Sequence, residues 1–188
     1  MSKTTIQTSY SITPVIGVIG ASSADSNVTT IAEAVGAAIA RKGWHLMTGG
    51  GGGVMAAACK GHRQWRTADR KTVTIGILPS DDGAFANPFV DVAIPTGIGL
   101  ARNAIIARAA MGFVAVGGCS GTLSEMALAW QFGRPIAAMV AAGGWAAELA
   151  GRCIDQRYAR PVYGASSPED AVAFLETELR STPTGDSD

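Results

Sequence analysis

Short unbroken apolar runs alternate along the chain with longer stretches whose apolar residues recur every three or four positions. Continuous apolar runs bounded by glycine or proline are the pattern of strands buried on both faces, and the longer stretches are the pattern of helices that cover them. Residues 15–20 form the first such strand, ending on Gly20, with a small turn at Ala21, Ser22 and Ser23. The spacing predicts a helix over 28–41, closed by the basic-then-glycine stop Lys42-Gly43. A second strand follows at 44–47, then the glycine run 49–53 and a helix over 54–64. The third strand spans 73–78 and stops at Pro79, and a polar loop, 80–88, leads to a fourth strand at 89–94. After a turn at 95–99 come a helix over 100–111, a fifth strand at 113–116 and a helix over 124–132. A sixth strand at 135–140 precedes a glycine break at Gly143-Gly144 and a short helix over 146–152. The last helix, 168–180, carries Pro168, Glu169 and Asp170 in its first turn.

Strands alternating with helices predict a mainly parallel sheet with helices on both faces, a three-layer α/β sandwich. Such sheets take ligands at the carboxyl ends of their strands, where the strand order reverses. The glycine-bearing turns after strands one, two and five all fall at that edge, so they predict one composite site. The length of 188 residues suits a single domain over 14–180, with a flexible N-terminus at 1–13 and a disordered tail at 181–188. Fifteen basic residues balance fifteen acidic ones, which leaves no net field to draw nucleic acid or a membrane surface. The basic segment 60–71 reads as a solvated helix end. Cys59, Cys119 and Cys153 are odd in number and far apart, a pattern of neither a disulfide framework nor a zinc site. With His45 and His62 lacking ligand-spaced partners, no metal site is expected. Without a secretory or membrane-spanning pattern, the expected location is the cytoplasm.

Three segments carry candidate chemistry. The first is 117–125, Gly117-Gly118-Cys119-Ser120-Gly121-Thr122-Leu123-Ser124-Glu125, between the fifth strand and its helix. Backbone N–H groups and a helix dipole converge at such a turn and favour an anion, so a phosphorylated small molecule is expected there. Thr122 offers a hydroxyl, and Ser120, Gly121 and Thr122 offer amides; the plainer alternative makes Thr122 or Ser124 a helix cap with Glu125 in the first turn. The second is the run of five glycines at 49–53, where Gly50, Gly51 and Gly52 either let bare backbone approach a ligand or form a flexible turn. It lacks the Gly-Lys-Ser/Thr of a Walker A loop, and its match to a dinucleotide fingerprint follows the second strand with no acid at the end of the next. The third is Arg102-Asn103, at a helix start where a cation opposes the dipole. Arg102 therefore reads as the partner of an anionic ligand or as one half of a surface salt bridge.

Arg102 followed by Gly117-Gly118-x-x-Gly121-Thr122-x-x-Glu125 resembles the LONELY GUY-type proteins, long labelled "possible lysine decarboxylase". Their hallmark is Pro-Gly-Gly-x-Gly-Thr-x-x-Glu preceded by Arg-Lys-x-x-Met. The resemblance implies a Rossmann-like fold, a homodimer or homotetramer, and catalytic positions at Arg102 and Glu125. Activating enzymes of the family are phosphoribohydrolases of cytokinin nucleoside 5′-monophosphates and need no cofactor. Here Gly117 replaces the proline, Cys119 the second glycine, Asn103 the lysine and Ile106 the methionine. With those changes the chain is more similar to the sister branch that includes molybdenum cofactor carrier proteins, which implies the pterin cofactor as bound cargo. On that reading the ligand is gripped by 117–122, the glycine run, Arg102 and Asn103, with Gly20, Ser22 and Ser23 toward the heterocycle and Glu125 beside them. The alternative is the hydrolase, with Glu125 holding ribose or water and Arg102 stabilising developing charge.

Overall fold

The structure is a computed structural model that describes residues 12–67 and 71–181. The N-terminal and C-terminal segments expected to lack structure therefore lie outside the described residues, apart from 12, 13 and 181. Among the described residues, six α-helices and seven strands run in the order β1 (Val15–Gly20), α1 (Ser26–Lys42), β2 (His45–Thr48), α2 (Val54–Trp65), β3 (Thr74–Leu78) and β4 (Val92–Pro95), then α3 (Arg102–Ala109). β5 (Gly112–Val116), α4 (Ser120–Gln131), β6 (Ile136–Met139), α5 (Gly144–Leu149), β7 (Tyr163–Ala165) and α6 (Pro168–Ser181) follow.

The seven strands form one sheet ordered β4-β3-β2-β1-β5-β6-β7, and every neighbouring pair is parallel. This is a Rossmann-like α/β fold, as the alternation of strands and helices predicts. Side chains that alternate along each strand feed two separate cores. Val114 and Val116 pack with Val35, Ile39, Val54 and Leu175 beneath α1, α2 and α6. Phe113 and Ala115 pack with Ile106, Met126 and Trp130 beneath α3, α4 and α5. Because β1 sits between β2 and β5, the chain winds outward on one side, returns, and winds outward on the other. The order reverses beside β1, and the connections leaving β1 and β5 part there toward opposite layers.

The sheet departs from its sequence reading at the edges. β4 begins at Val92 rather than 89, because Asp91 is occupied elsewhere: its carboxylate accepts from the Thr74 amide at 2.9 Å and the Thr74 hydroxyl at 3.0 Å. β7 is a further strand that the apolar pattern does not announce, being three residues with a glycine at the centre. The segment 100–111 opens as a 3-10 turn, Gly99–Ala101, before α3. α4 starts at Ser120, four residues earlier than the pattern suggests, and α5 at Gly144.

α1 and α2 cross with almost no gap. A Cβ on Gly36 would lie 1.9 Å from the Ala58 carbonyl oxygen, and one on Gly61 1.9 Å from that of Glu33. His62 is sealed below this crossing with Nε2 2.9 Å from the Trp44 carbonyl oxygen. Burial lowers its pKa, so the ring is neutral. Gly36→Ala gains helix propensity of about 1 kcal/mol, but backbone overlap outweighs it. The variant is expected to lose about 2 kcal/mol of unfolding free energy, measured by urea denaturation; an unchanged midpoint would show that the helices part freely.

Candidate functional site

A pocket of about 310 Å³ opens at the carboxyl edge of the sheet, where the strand order reverses. Its walls come from the end of β1 and the turn that follows, Gly49 after β2, Met55 of α2, Leu100, the first turn of α3 and the first two turns of α4. Gly20 lets β1 end tightly, since a Cβ there would lie 2.6 Å from both the Val116 carbonyl oxygen and a methyl of Val54. Of the residues expected from sequence, the pocket brings together Gly20, Ser22, Ser23, Arg102, Asn103, Cys119, Gly121, Thr122 and Glu125. Gly50, Gly51, Gly52, Gly117, Gly118 and Ser120 are not on its wall. Gly49, the first residue of the glycine run, is on the wall, and so are Met55 and Leu100.

The glycine run is a pinned turn rather than a flexible one. The Gly50 amide donates to the Thr48 hydroxyl at 3.0 Å, and the Asn87 side-chain amide donates to the carbonyl oxygens of Gly50 and Gly51 at 3.1 and 2.9 Å. The two ends of the run make close approaches of different kinds: a Cβ on Gly49 would lie 2.4 Å from both terminal nitrogens of Arg102, and one on Gly53 2.4 Å from the Ala21 carbonyl oxygen. Asn87 has no local signal in the polar loop that carries it, so sequence inspection passes over it.

The turn after β5 is held from behind. Gly117 and Gly118 have φ of 61° and 100°, and their carbonyl oxygens accept from the amides of Ala146 and Trp145 at 3.0 and 3.2 Å. A Cβ on Gly118 would lie 2.4 Å from the Thr122 hydroxyl oxygen. Neither Thr122 nor Ser124 caps α4: the capping residue is Cys119, which makes no side-chain cap bond. The amides of Ser120, Gly121 and Thr122 thus open the helix without an intrahelical acceptor. Glu125 falls in the second turn, one turn below Gly121 on the same face.

Arg102 and Glu125 meet on the pocket wall. Arg102 Nη1 donates to Glu125 Oε1 at 3.0 Å, with the two side chains 12% and 8% exposed. Rather than the surface salt bridge that the sequence allows, Arg102 makes a largely buried ion pair on the pocket wall. Its hydrogen bonding is incomplete: among the described residues, Arg102 Nε and Asn103 Oδ1 have no partner. Burial pushes the Glu125 carboxyl up to about 7, outweighing the attraction of Arg102. Cys59, away from this wall, is pushed up to about 11 by burial and sits against Thr48. The basic segment that begins within α2 is engaged locally: Lys60 pairs with Glu33 at 3.0 Å and Arg66 with Asp91 at 2.5 Å. Among the described residues no group of three or more His, Cys, Asp or Glu is arranged to hold a metal ion.

Residues 13–172 match the SLOG cluster4 family. An uncharacterized protein of Archaeoglobus fulgidus is 40% identical over 124 residues, covering 66% of this chain and 78% of its own length. A cytokinin riboside 5′-monophosphate phosphoribohydrolase of Mycobacterium marinum is 31% identical over 109 residues, covering 55% of this chain and 54% of the enzyme. Among solved structures, the molybdenum cofactor binding protein from Rippkaea orientalis has a TM-score of 0.77 at 33% identity, covering 90% of this chain and 99% of that one. The molybdenum cofactor carrier protein of Chlamydomonas reinhardtii has a TM-score of 0.73 at 32% identity, with the same coverage of 90% and 99%.

The electrostatics of the wall are open to direct measurement. Glu125 is expected to titrate near pH 7 by carboxyl-carbon NMR. In Arg102→Met the burial remains and the favourable charge is gone, so the value is expected to climb by about another unit or more. A fall toward an ordinary carboxylate value would mean that the wall had opened to water.

Proposed function

We propose that this chain, which belongs to the SLOG cluster4 family, holds a phosphorylated, nucleotide-like small molecule without transforming it, with the molybdenum cofactor as its cargo. The observation that carries this reading is the uncapped start of α4 facing a pocket that also contains Arg102. Free amides at a helix start and a guanidinium beside them are donors suited to a phosphate. In this assignment the amides of Gly121 and Thr122 and the Thr122 hydroxyl take the phosphate, and Arg102 offsets its charge. Ser22 and Ser23, exposed on the β1 turn, face the heterocycle. The volume falls at the lower end of the range for small-molecule sites, about 300–1,000 Å³. The two solved structures named as molybdenum cofactor proteins are matched over 99% of their length, which supports the choice of cargo.

One observation favours a second reading. Arg102 and Glu125 form the pair expected at the catalytic positions of a nucleoside 5′-monophosphate phosphoribohydrolase, and a relative of that name is matched over about half its length. There an ionised Glu125 would hold the ribose or a water, and Arg102 would stabilise charge as the glycosidic bond breaks. A homodimer or homotetramer belongs to both readings. Leu100, 79% exposed at the pocket rim, and the exposed Val92, Ile94 and Ile98 offer the apolar surface that a second copy would cover. No helix among the described residues is long and apolar enough to cross a membrane.

Incubation with AMP and isopentenyl-AMP separates the two readings. The carrier reading expects no free base, together with protection of added molybdenum cofactor from oxidation. Rapid base release that disappears in Glu125→Gln overturns it. Arg102→Ala is expected to weaken cofactor binding about tenfold or more. Its melting temperature should change little, because the Glu125 left behind can take a proton. Unchanged binding would remove Arg102 from the site.

A further inference from the structure

We propose that the Arg102–Glu125 pair is a latch: an anionic ligand draws Arg102 from Glu125, and Glu125 takes up a proton from solvent and turns into a neutral donor toward the ligand. This rests on the anion-site reading above and assigns Glu125 a role in holding rather than in cleavage.

The resting pair is built to be exchanged. It is a single contact between one guanidinium nitrogen and one carboxylate oxygen, not the two-point fork that makes such pairs strong. Arg102 Nε and Asn103 Oδ1 lie sealed from solvent without partners among the described residues, so the closed arrangement leaves a donor on one residue and an acceptor on the next unsatisfied. Gly49 presses on the terminal nitrogens, and the place a side chain would fill is taken by the guanidinium. An anion at the start of α4 would lie one helical turn above Glu125, on the same wall.

Charge balance then dictates the proton. The ionisable groups lining the pocket are Arg102 from α3, Cys119 at the head of α4, and Glu125. The β1 turn, Gly49, Met55 of α2 and Leu100 bring none. A doubly charged ligand and an ionised Glu125 would leave three negative charges facing one cation in a poorly hydrated wall. Protonation of Glu125 removes one of them and converts a repelling oxygen into an O–H donor. Burial already holds that carboxyl near neutrality, so only a modest further rise is required.

The test uses the full chain and two probes: inorganic sulfate, which stays doubly charged across the pH range, and AMP. Titration calorimetry in two buffers of different ionisation enthalpy counts the protons exchanged. Uptake approaching one proton per sulfate is expected near pH 8 and close to none near pH 6. The dissociation constant should rise about tenfold from roughly pH 7 to 8.5, because the free protein loses the proton that the complex keeps. Glu125→Gln should bind sulfate with no proton exchange and no pH dependence, whereas Cys119→Ser, which removes the other titratable acid of the wall, should keep the parent's proton uptake per bound sulfate whatever its affinity. Binding without proton uptake by the parent near pH 8, a pH dependence that survives Glu125→Gln or vanishes in Cys119→Ser, or loss of binding in a folded Glu125→Gln variant overturns the latch and leaves the anion site standing. Failure of the parent to bind either probe at any pH removes the anion site and the latch together. The proton count on the parent decides the matter even if a variant does not fold.

Discussion

The reversal of strand order beside β1 is the constraint on which the rest of the site depends. β1 is hydrogen-bonded to β2 on one side and β5 on the other, so the chain leaves their carboxyl ends toward opposite layers. A crevice remains that no side chain of the sheet fills. α3 and α4 lie in the same layer and start at this crevice, which is why a residue from each can meet across it. Gly20 and Gly49 keep the floor and the rim at backbone height, and Arg102 occupies the space that a side chain at position 49 would need.

The ion pair at that crevice is a poor device for stability. Removing two charges from water costs several kcal/mol per ion after relaxation, and the attraction repays it only when the remaining hydrogen bonds are made. Asp91 shows how a carboxylate is satisfied in this fold. Burial alone would raise its pKa, but the Thr74 amide and hydroxyl and Arg66 together hold it below the ordinary value. Glu125 is more deeply buried, has Arg102 as its hydrogen-bond partner, and sits raised rather than lowered. The partly exposed Asp91 is thus held by several donors, while the buried Glu125 on the pocket wall has one among the described residues, and the two carboxylates shift in opposite directions.

The central strands were legible because each is an unbroken apolar run buried on both faces; β1 coincides with its expected limits, and β5 is extended only by Gly112. The edges were less so. β4 is displaced by the tie between Asp91 and Thr74, residues 17 apart, and β7 is too short to have a period. The early start of α4 was hidden by Ser120 and Gly121, weak helix formers whose identity matters little where the amides have no intrahelical acceptor. Within the site, Arg102, Gly121, Thr122 and Glu125 could be chosen from sequence because their spacing matches a family pattern. The turning away of Gly50 and Gly51 could not, since it depends on Asn87, 37 and 36 residues further along.

The pairing of one guanidinium with one carboxylate bears on whether the site holds or cleaves. In the LONELY GUY pattern a lysine follows the arginine, so a phosphate would meet two neighbouring cationic residues and an acidic residue could stay ionised beside it. Asn103 occupies that position here, and Arg102 is the one cation on the pocket wall among the described residues. Under the proposed latch, a bound phosphate engages that cation and leaves Glu125 most stable as the neutral acid. A neutral acid can donate to an anion, but it cannot serve as the ionised acceptor that glycosidic cleavage asks of this position. Under the same proposal, asparagine in place of lysine, next to an arginine and a glutamate that keep the pattern, favours holding a bound anion over cleaving it.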